Sequence, residues 1–201
     1  MMTRTQLSDL QPTSFYRLAP LWTALGRWDP ELAYHGEETA QLAIKLAGVL
    51  GLEHPAPCAL CWAGRLHDIG KVAVPRSLLE KEGPLTEEEQ RAVRVHPAHS
   101  FSILQRTGIS SDFLNTVLFH HEKFDGTGYP VGLKRADIPF AARIVAVADV
   151  YCALRQRRPY RDRYSAQAAW ALMVRNKGRA FDPIIVEALE EVLKRDATDG
   201  R

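Results

Sequence analysis

Cysteine is scarce, the charge is nearly balanced, and no apolar run is long. Three unevenly spaced cysteines in 201 residues exclude a disulfide framework and favour a reducing compartment. A formal net charge of +2 excludes a general field for nucleic acid, so any anion must be met by local basic groups. Residues 1–14 are polar, with no apolar stretch of signal-peptide length, and nothing later approaches the ~20 apolar residues that cross a bilayer. The expectation is a cytoplasmic protein that engages no membrane, DNA or RNA. No sensor or receiver segment is evident, so regulation is expected from a partner or from expression.

What is there is helical periodicity. Tyr16, Leu18, Leu21, Trp22 and Leu25 begin an apolar face, and Asp29-Pro30 has the form of an N-cap with proline at the first helical position. The spacing predicts further helices near 58–69, stopped by Gly70, and at 97–105, 112–120, 165–175 and 182–194. Thr86-Glu87-Glu88-Glu89 reads as a capping box. Residues 140–154 are almost unbroken apolar; their middle resembles a strand, but the length and the lack of a partner strand favour a buried helix. Residues 125–132 hold three glycines and a proline and must form a loop. The reading is all-α, a single-domain helical bundle over 15–195 with flexible segments at 1–14 and 196–201.

Within that frame the chemistry gathers on histidines and acids. Asp149 stands amid Val145, Ala146, Val147, Ala148 and Val150, where a buried carboxylate needs a cation; a metal is the economical partner and a distant arginine the alternative. His67-Asp68 closes an apolar helix. Alone the pair reads as a core histidine and a capping aspartate, but Lys71 beside it offers the ammonium a phosphate requires. His96 is favoured over His99 as a ligand. His120-His121 suits either a metal or a helix C-terminus. Glu31 and His35, at i and i+4, share a helical face and fit either a metal or an ordinary exposed pair. Five arginines in residues 155–163 form either a solvated face or a phosphate grip. Cys58 and Cys61 are read as helix-buried thiols rather than a redox pair.

The order of these motifs resembles the HD-GYP family, a branch of the HD metal-dependent phosphohydrolases. Carrying the resemblance are Glu31-x-x-x-His35, His67-Asp68-x-Gly70-Lys71, His96, His120-His121-Glu122, Asp125-Gly126-x-Gly128-Tyr129-Pro130, Asp149 and Arg158-Pro159-Tyr160-Arg161. The resemblance runs over about residues 16–193. The resemblance implies a bundle of the HD phosphohydrolase type holding two or three divalent ions, iron or manganese. It implies hydrolysis of cyclic di-GMP to linear pGpG or GMP in bacterial second-messenger signalling. His35, His67, Asp68 and Asp149 match the basic ligand set, and His96, His120 and His121 match ligands of a second metal, with Asp68 as bridge. Glu31 matches the carboxylate of three-metal members. Lys71, Arg158 and Arg161 match phosphate contacts, Gly128 and Tyr129 border the substrate, and Asp68 and Lys71 carry the catalytic roles. Implied partners beside the nucleotide are diguanylate cyclase (GGDEF) domains or a separate sensor or receiver protein; the oligomeric state is left open. Two positions depart from the family pattern: Cys152 stands where aspartate is common and Ser100 where glycine is usual. A non-catalytic receptor and a phosphodiesterase for another cyclic dinucleotide are the competing readings.

Overall fold

Asp29 sets the first bend. In the computed structural model, which describes residues 12–53, 56–156 and 162–199, its backbone is extended between helices α1 (Ala19–Trp28) and α2 (Pro30–Val49). Its side chain accepts from the Leu32 amide at 2.9 Å, satisfying a donor that the helix leaves open. Helices α3 (Ala56–Leu66), α4 (Arg76–Leu79), α5 (Glu87–Arg94), α6 (His96–Gln105) and α7 (Ser111–Leu118) follow. The expected capping box is present at the start of α5, with Thr86 and Glu89 each satisfying the other's backbone amide. After the loop come α8 (Phe140–Arg155), α9 (Ala166–Arg175) and α10 (Pro183–Asp199). Among the described residues there is no strand, only an isolated bridge between Lys177 and Phe181.

The centre of the bundle is α8. It is apolar on every side, so it has no face to offer solvent, and it packs against α2, α3, α7, α9 and α10. Ile144, Val145, Val147 and Ala148 are fully buried. With α-helices on every side the strand-like middle has no edge to pair with, and it stays helical. Arg143 is buried in this helix too. It pairs with buried Asp182 and donates from Nε to Ile138 O at 3.0 Å, so its charge is met at the end of α8 away from Asp149.

Two glycines let α2 and α3 approach to backbone contact. A Cβ on Gly64 would lie 2.5 Å from Ala40 Cα, and one on Gly36 would lie 2.7 Å from Arg65 O. This crossing draws His35, beside Gly36, toward His67, just beyond α3; their rings are centred 5.5 Å apart. The third helix ends at Leu66, earlier than the periodicity predicts. The chain then tightens into a 3-10 turn, Ile69–Ala73, because Gly70 must pass against α6. Cys58 and Cys61 are half-buried rather than buried, whereas Cys152 is buried. α10 runs on to Asp199, and Asp196 pairs with Lys45 at 2.6 Å.

Candidate metal centre

Three histidines of the centre are aimed by their own backbone. His67 follows α3, His96 opens α6 and His120 follows α7, positions where helix-end carbonyls are unclaimed. His67 Nδ1 donates to Gly64 O at 2.7 Å, His96 Nδ1 to Val93 O at 2.8 Å, and His120 Nδ1 to Val117 O at 2.6 Å. With the proton committed to Nδ1, each Nε2 carries a bare lone pair into the interior.

Those lone pairs converge on carboxylates that cannot answer them. The ligand atoms of Asp68, His96, His120 and His121 all lie within 4.8 Å of one another, as do those of His35, His67 and Asp149. Asp68 faces both groups: Oδ1 is 3.0 Å from His96 Nε2 and 4.0 Å from His120 Nε2, while Oδ2 is 3.3 Å from His67 Nε2. Asp149 Oδ1 lies 2.9 Å from His35 Nε2 and 3.8 Å from His67 Nε2. Buried His67 Nε2, His120 Nε2 and Asp68 Oδ1 have no hydrogen-bond partner. The 3.0 Å approach of His96 to Asp68 does not repair this, because His96 has already given its proton to Val93. Acceptors packed against acceptors require cations between them. Imidazole nitrogen with carboxylate oxygen is a donor set for divalent transition ions, so the residues fit the metals expected.

Electrostatics prepare the same state. Burial would raise the Asp68 carboxyl, but Lys71, His67 and His96 outweigh it and hold it well below the usual range. Burial opposes ionisation of Asp149 as well, and is overcome by the close approach of His35 and by His67. Burial, reinforced by His121, His67 and His96, holds His120 far below an ordinary histidine, and burial first of all pushes His121 down to about 3. Ionised carboxylates beside a neutral His120 and His121 are protonation states a metal demands.

The parts are locked by further groups, of which Ser100 and Glu122 have no role evident in the sequence. Ser100, fully buried, donates from Oγ to His67 O at 2.7 Å and accepts from Gly70 N at 2.8 Å, pinning the His67-Asp68 turn onto α6. A Cβ on Gly70 would lie 2.1 Å from His96 O, so only glycine permits that contact. Buried Glu122 points away from both groups: its Oε1 accepts from Val131 N at 2.7 Å and Gly132 N at 2.9 Å. It thereby holds the loop that lays Tyr129 against His121, rings 4.8 Å apart. Gly128 allows that loop to close, since a Cβ there would meet Lys123 N at 2.3 Å. The i, i+4 relation of Ser100 to His96 is a signal that could have marked the serine; nothing in sequence marks what Glu122 grips.

Of the remaining site residues, Glu31 is exposed and belongs to neither group, though it lines the adjoining cleft with His35. Lys71 joins the centre through Asp68, Nζ to Oδ2 at 2.5 Å. Arg158 and Arg161 lie outside the described residues. The cleft has a volume of about 1260 Å³ and brings Lys71, Arg155, Gln156 and Arg163 to its wall.

The chain is similar to several known proteins. The chain is 41% identical over 157 residues to the cyclic di-GMP phosphodiesterase response regulator RpfG of Xanthomonas campestris pv. campestris, covering 76% of this chain and 41% of that protein. It is 35% identical over 188 residues to the 3'3'-cGAMP-specific phosphodiesterase 2 of Vibrio cholerae, covering 91% of this chain and 35% of that one. It thus spans less than half the length of both relatives. Among solved structures, Bd1817, an HDGYP protein from Bdellovibrio bacteriovorus, superposes with a TM-score of 0.67 at 25% identity, over 81% of this chain and 52% of that one. With the HD domain family matching residues 23–185, the chain belongs to that family, as a domain of HD-GYP type.

Proposed function

We propose that this chain is the catalytic domain of a phosphodiesterase that opens cyclic di-GMP to linear pGpG, GMP or both. The observation that carries the reading is the placement of Asp68: a single ionised carboxylate faces two clusters of imidazole nitrogens beside an open cleft. His35, His67, Asp68 and Asp149 would hold one divalent ion and Asp68, His96, His120 and His121 a second, with Glu31 on the cleft wall for a third; iron or manganese suits the set. Bound there, such ions supply an acidified water and neutralise charge on the phosphoryl oxygens.

The chain's own groups do the rest. Lys71 keeps Asp68 ionised and sets a positive charge at the cleft wall, where a phosphodiester oxygen can meet it. Arg158 and Arg161 are assigned to the distal phosphate, as bidentate donors. Glu122 and Tyr129 fix one rim of the site. Hydrolysis adds water across a P–O3′ bond: the phosphorus gains an oxygen, and the 3′ oxygen leaves with a proton.

A second substrate has specific support. The relative that aligns over 91% of this chain is named for 3'3'-cGAMP, which makes the mixed dinucleotide the main competitor to cyclic di-GMP. Protein purified without oxygen, analysed for iron and manganese and then incubated with each dinucleotide separately, tests both readings by product chromatography. Linear product from cyclic di-GMP supports the proposal, product from 3'3'-cGAMP alone moves it to the second substrate, and metal-loaded protein yielding no product leaves a receptor. We place the domain in the cytoplasm, under a sensor, receiver or GGDEF partner. No described helix is long and apolar enough to cross a membrane.

A further inference from the structure

His35 differs from His67, His96 and His120. It sits inside α2, where the carbonyls three and four residues back are taken by the helix itself. No backbone acceptor is within its reach, so the group that orients its ring must come from another element. That group is Gln156, the C-cap of α8: His35 Nδ1 and Gln156 Oε1 are 3.1 Å apart. The amide is oriented in turn. Gln156 Nε2 donates to Glu38 Oε2 at 3.0 Å, and Tyr34 donates to Glu38 Oε1 at 2.8 Å. A carboxylate only accepts, so Glu38 obliges Gln156 to turn its NH2 outward and its oxygen toward His35.

We infer that Gln156 and Glu38 form a positioning relay that keeps the His35 proton on Nδ1 and its Nε2 lone pair available beside Asp149. The relay has a direction. With Glu38 in place, His35 meets Asp149 at 2.9 Å as one acceptor facing another, a gap for a cation. If Gln156 turned its NH2 inward, His35 would carry its proton on Nε2 and simply hydrogen-bond Asp149. One exposed-side carboxylate thus decides whether a buried imidazole serves as a ligand. The inference deepens the metal-centre reading and rests on it for its consequence, though not for its geometry.

The test uses the full chain freed of metal, Mn2+ as the probe, and four variants. Glu38→Gln leaves Gln156 free to turn either way, Gln156→Leu removes the acceptor, and Gln156→Glu sets two carboxylates face to face. Each should weaken Mn2+ binding at one class of site by about 10- to 100-fold in titration calorimetry while sparing the other class. The swap Glu38→Gln with Gln156→Glu restores an NH2-to-carboxylate contact with its direction reversed, keeps an acceptor on His35 Nδ1, and should bring the affinity back near wild type. Both positions are half-buried and the swap conserves volume, so the fold is retained. Ring-nitrogen chemical shifts of the metal-free chain should show His35 protonated at Nδ1 in wild type and swap, and mixed in Glu38→Gln. Unchanged affinity and tautomer in Glu38→Gln and Gln156→Leu, or a swap no better than its single variants, overturns the relay. If wild type takes up no Mn2+, the metal-centre reading fails by itself and the nitrogen shifts alone decide the relay.

Discussion

Lys71 Nζ stands 2.5 Å from Oδ2 of Asp68, the carboxylate whose other oxygen faces His96. The lysine therefore serves two ends, keeping Asp68 ionised and lending charge to the cleft. Lys71→Met should lower kcat by about 10²–10³-fold, the scale on which a single transition-state donor counts. Its metal content should stay near that of wild type, because the imidazole and carboxylate ligands remain. Steady-state kinetics with metal analysis on the same sample checks this; equal losses of metal and rate would make Lys71 a support for the ligand alone.

Asp68→Ala removes a carboxylate that faces both groups. Both ions should be lost or weakened together, and turnover with them. Asp149→Ala, by contrast, should empty only the group it shares with His35 and His67. Metal stoichiometry of the two variants separates a shared carboxylate from two independent sites.

Much of the frame is legible in the sequence alone. Asp29-Pro30, the Thr86 capping box and the apolar length of α8 are local signals with local causes, and each sits where the pattern put it. The candidate ligands are legible through the order of their motifs, since His67-Asp68 or Glu31 with His35, taken alone, fits a structural role as well. Illegible were groups whose partners are backbone atoms or distant side chains. Ser100 grips a carbonyl and an amide some 30 positions away, and Gln156 meets His35 across 121 positions. Periodicity carries no information about either. It also misjudged Cys58 and Cys61, because an apolar flank in sequence does not show which side of α3 meets the core.

Ser100→Ala deletes a buried hydroxyl that both donates and accepts, stranding His67 O and Gly70 N. The cost in stability should be about 1–3 kcal/mol, read from urea unfolding of the metal-free chain. Since the hydroxyl holds the turn bearing Asp68, a lower metal affinity should accompany it. A loss of stability with metal affinity intact would confine Ser100 to packing.

Glu122→Ala leaves the amides of Val131 and Gly132 without their acceptor and releases the loop from His121. Both metal groups keep all their ligands, so metal content should hold. With Tyr129 no longer fixed, kcat/KM should fall by about tenfold or more, as expected when a positioning contact slips. Limited proteolysis within 123–132 should quicken at the same time.

The buried histidines also set how the metal-free chain responds to acid. His120 and His121 are held below an ordinary histidine when folded, burial being the larger cause in both. Unfolded, they titrate near the usual ~6.5. Below that pH the unfolded chain binds protons that the folded chain refuses, so stability falls as pH falls, by up to about 1.4 kcal/mol per unit for each histidine. His67 has the opposite sign. Burial lowers it, yet Asp68 and Asp149 prevail and raise it, so its contribution is complete below ~6.5 and fades as pH rises through the folded value. Asp68 and Asp149, both lowered, contribute above about pH 4 and fail only as pH drops further. From about pH 6.5 down to about 4 the two depressed histidines are therefore the members of the centre that set the slope. Urea midpoints of chelator-treated protein at successive pH values should fall steadily across that window; midpoints that stay level would show that His120 and His121 are not held neutral in the interior. Adding Mn2+ at neutral pH should raise the midpoint in proportion to the logarithm of its concentration, because the ion binds the folded chain alone.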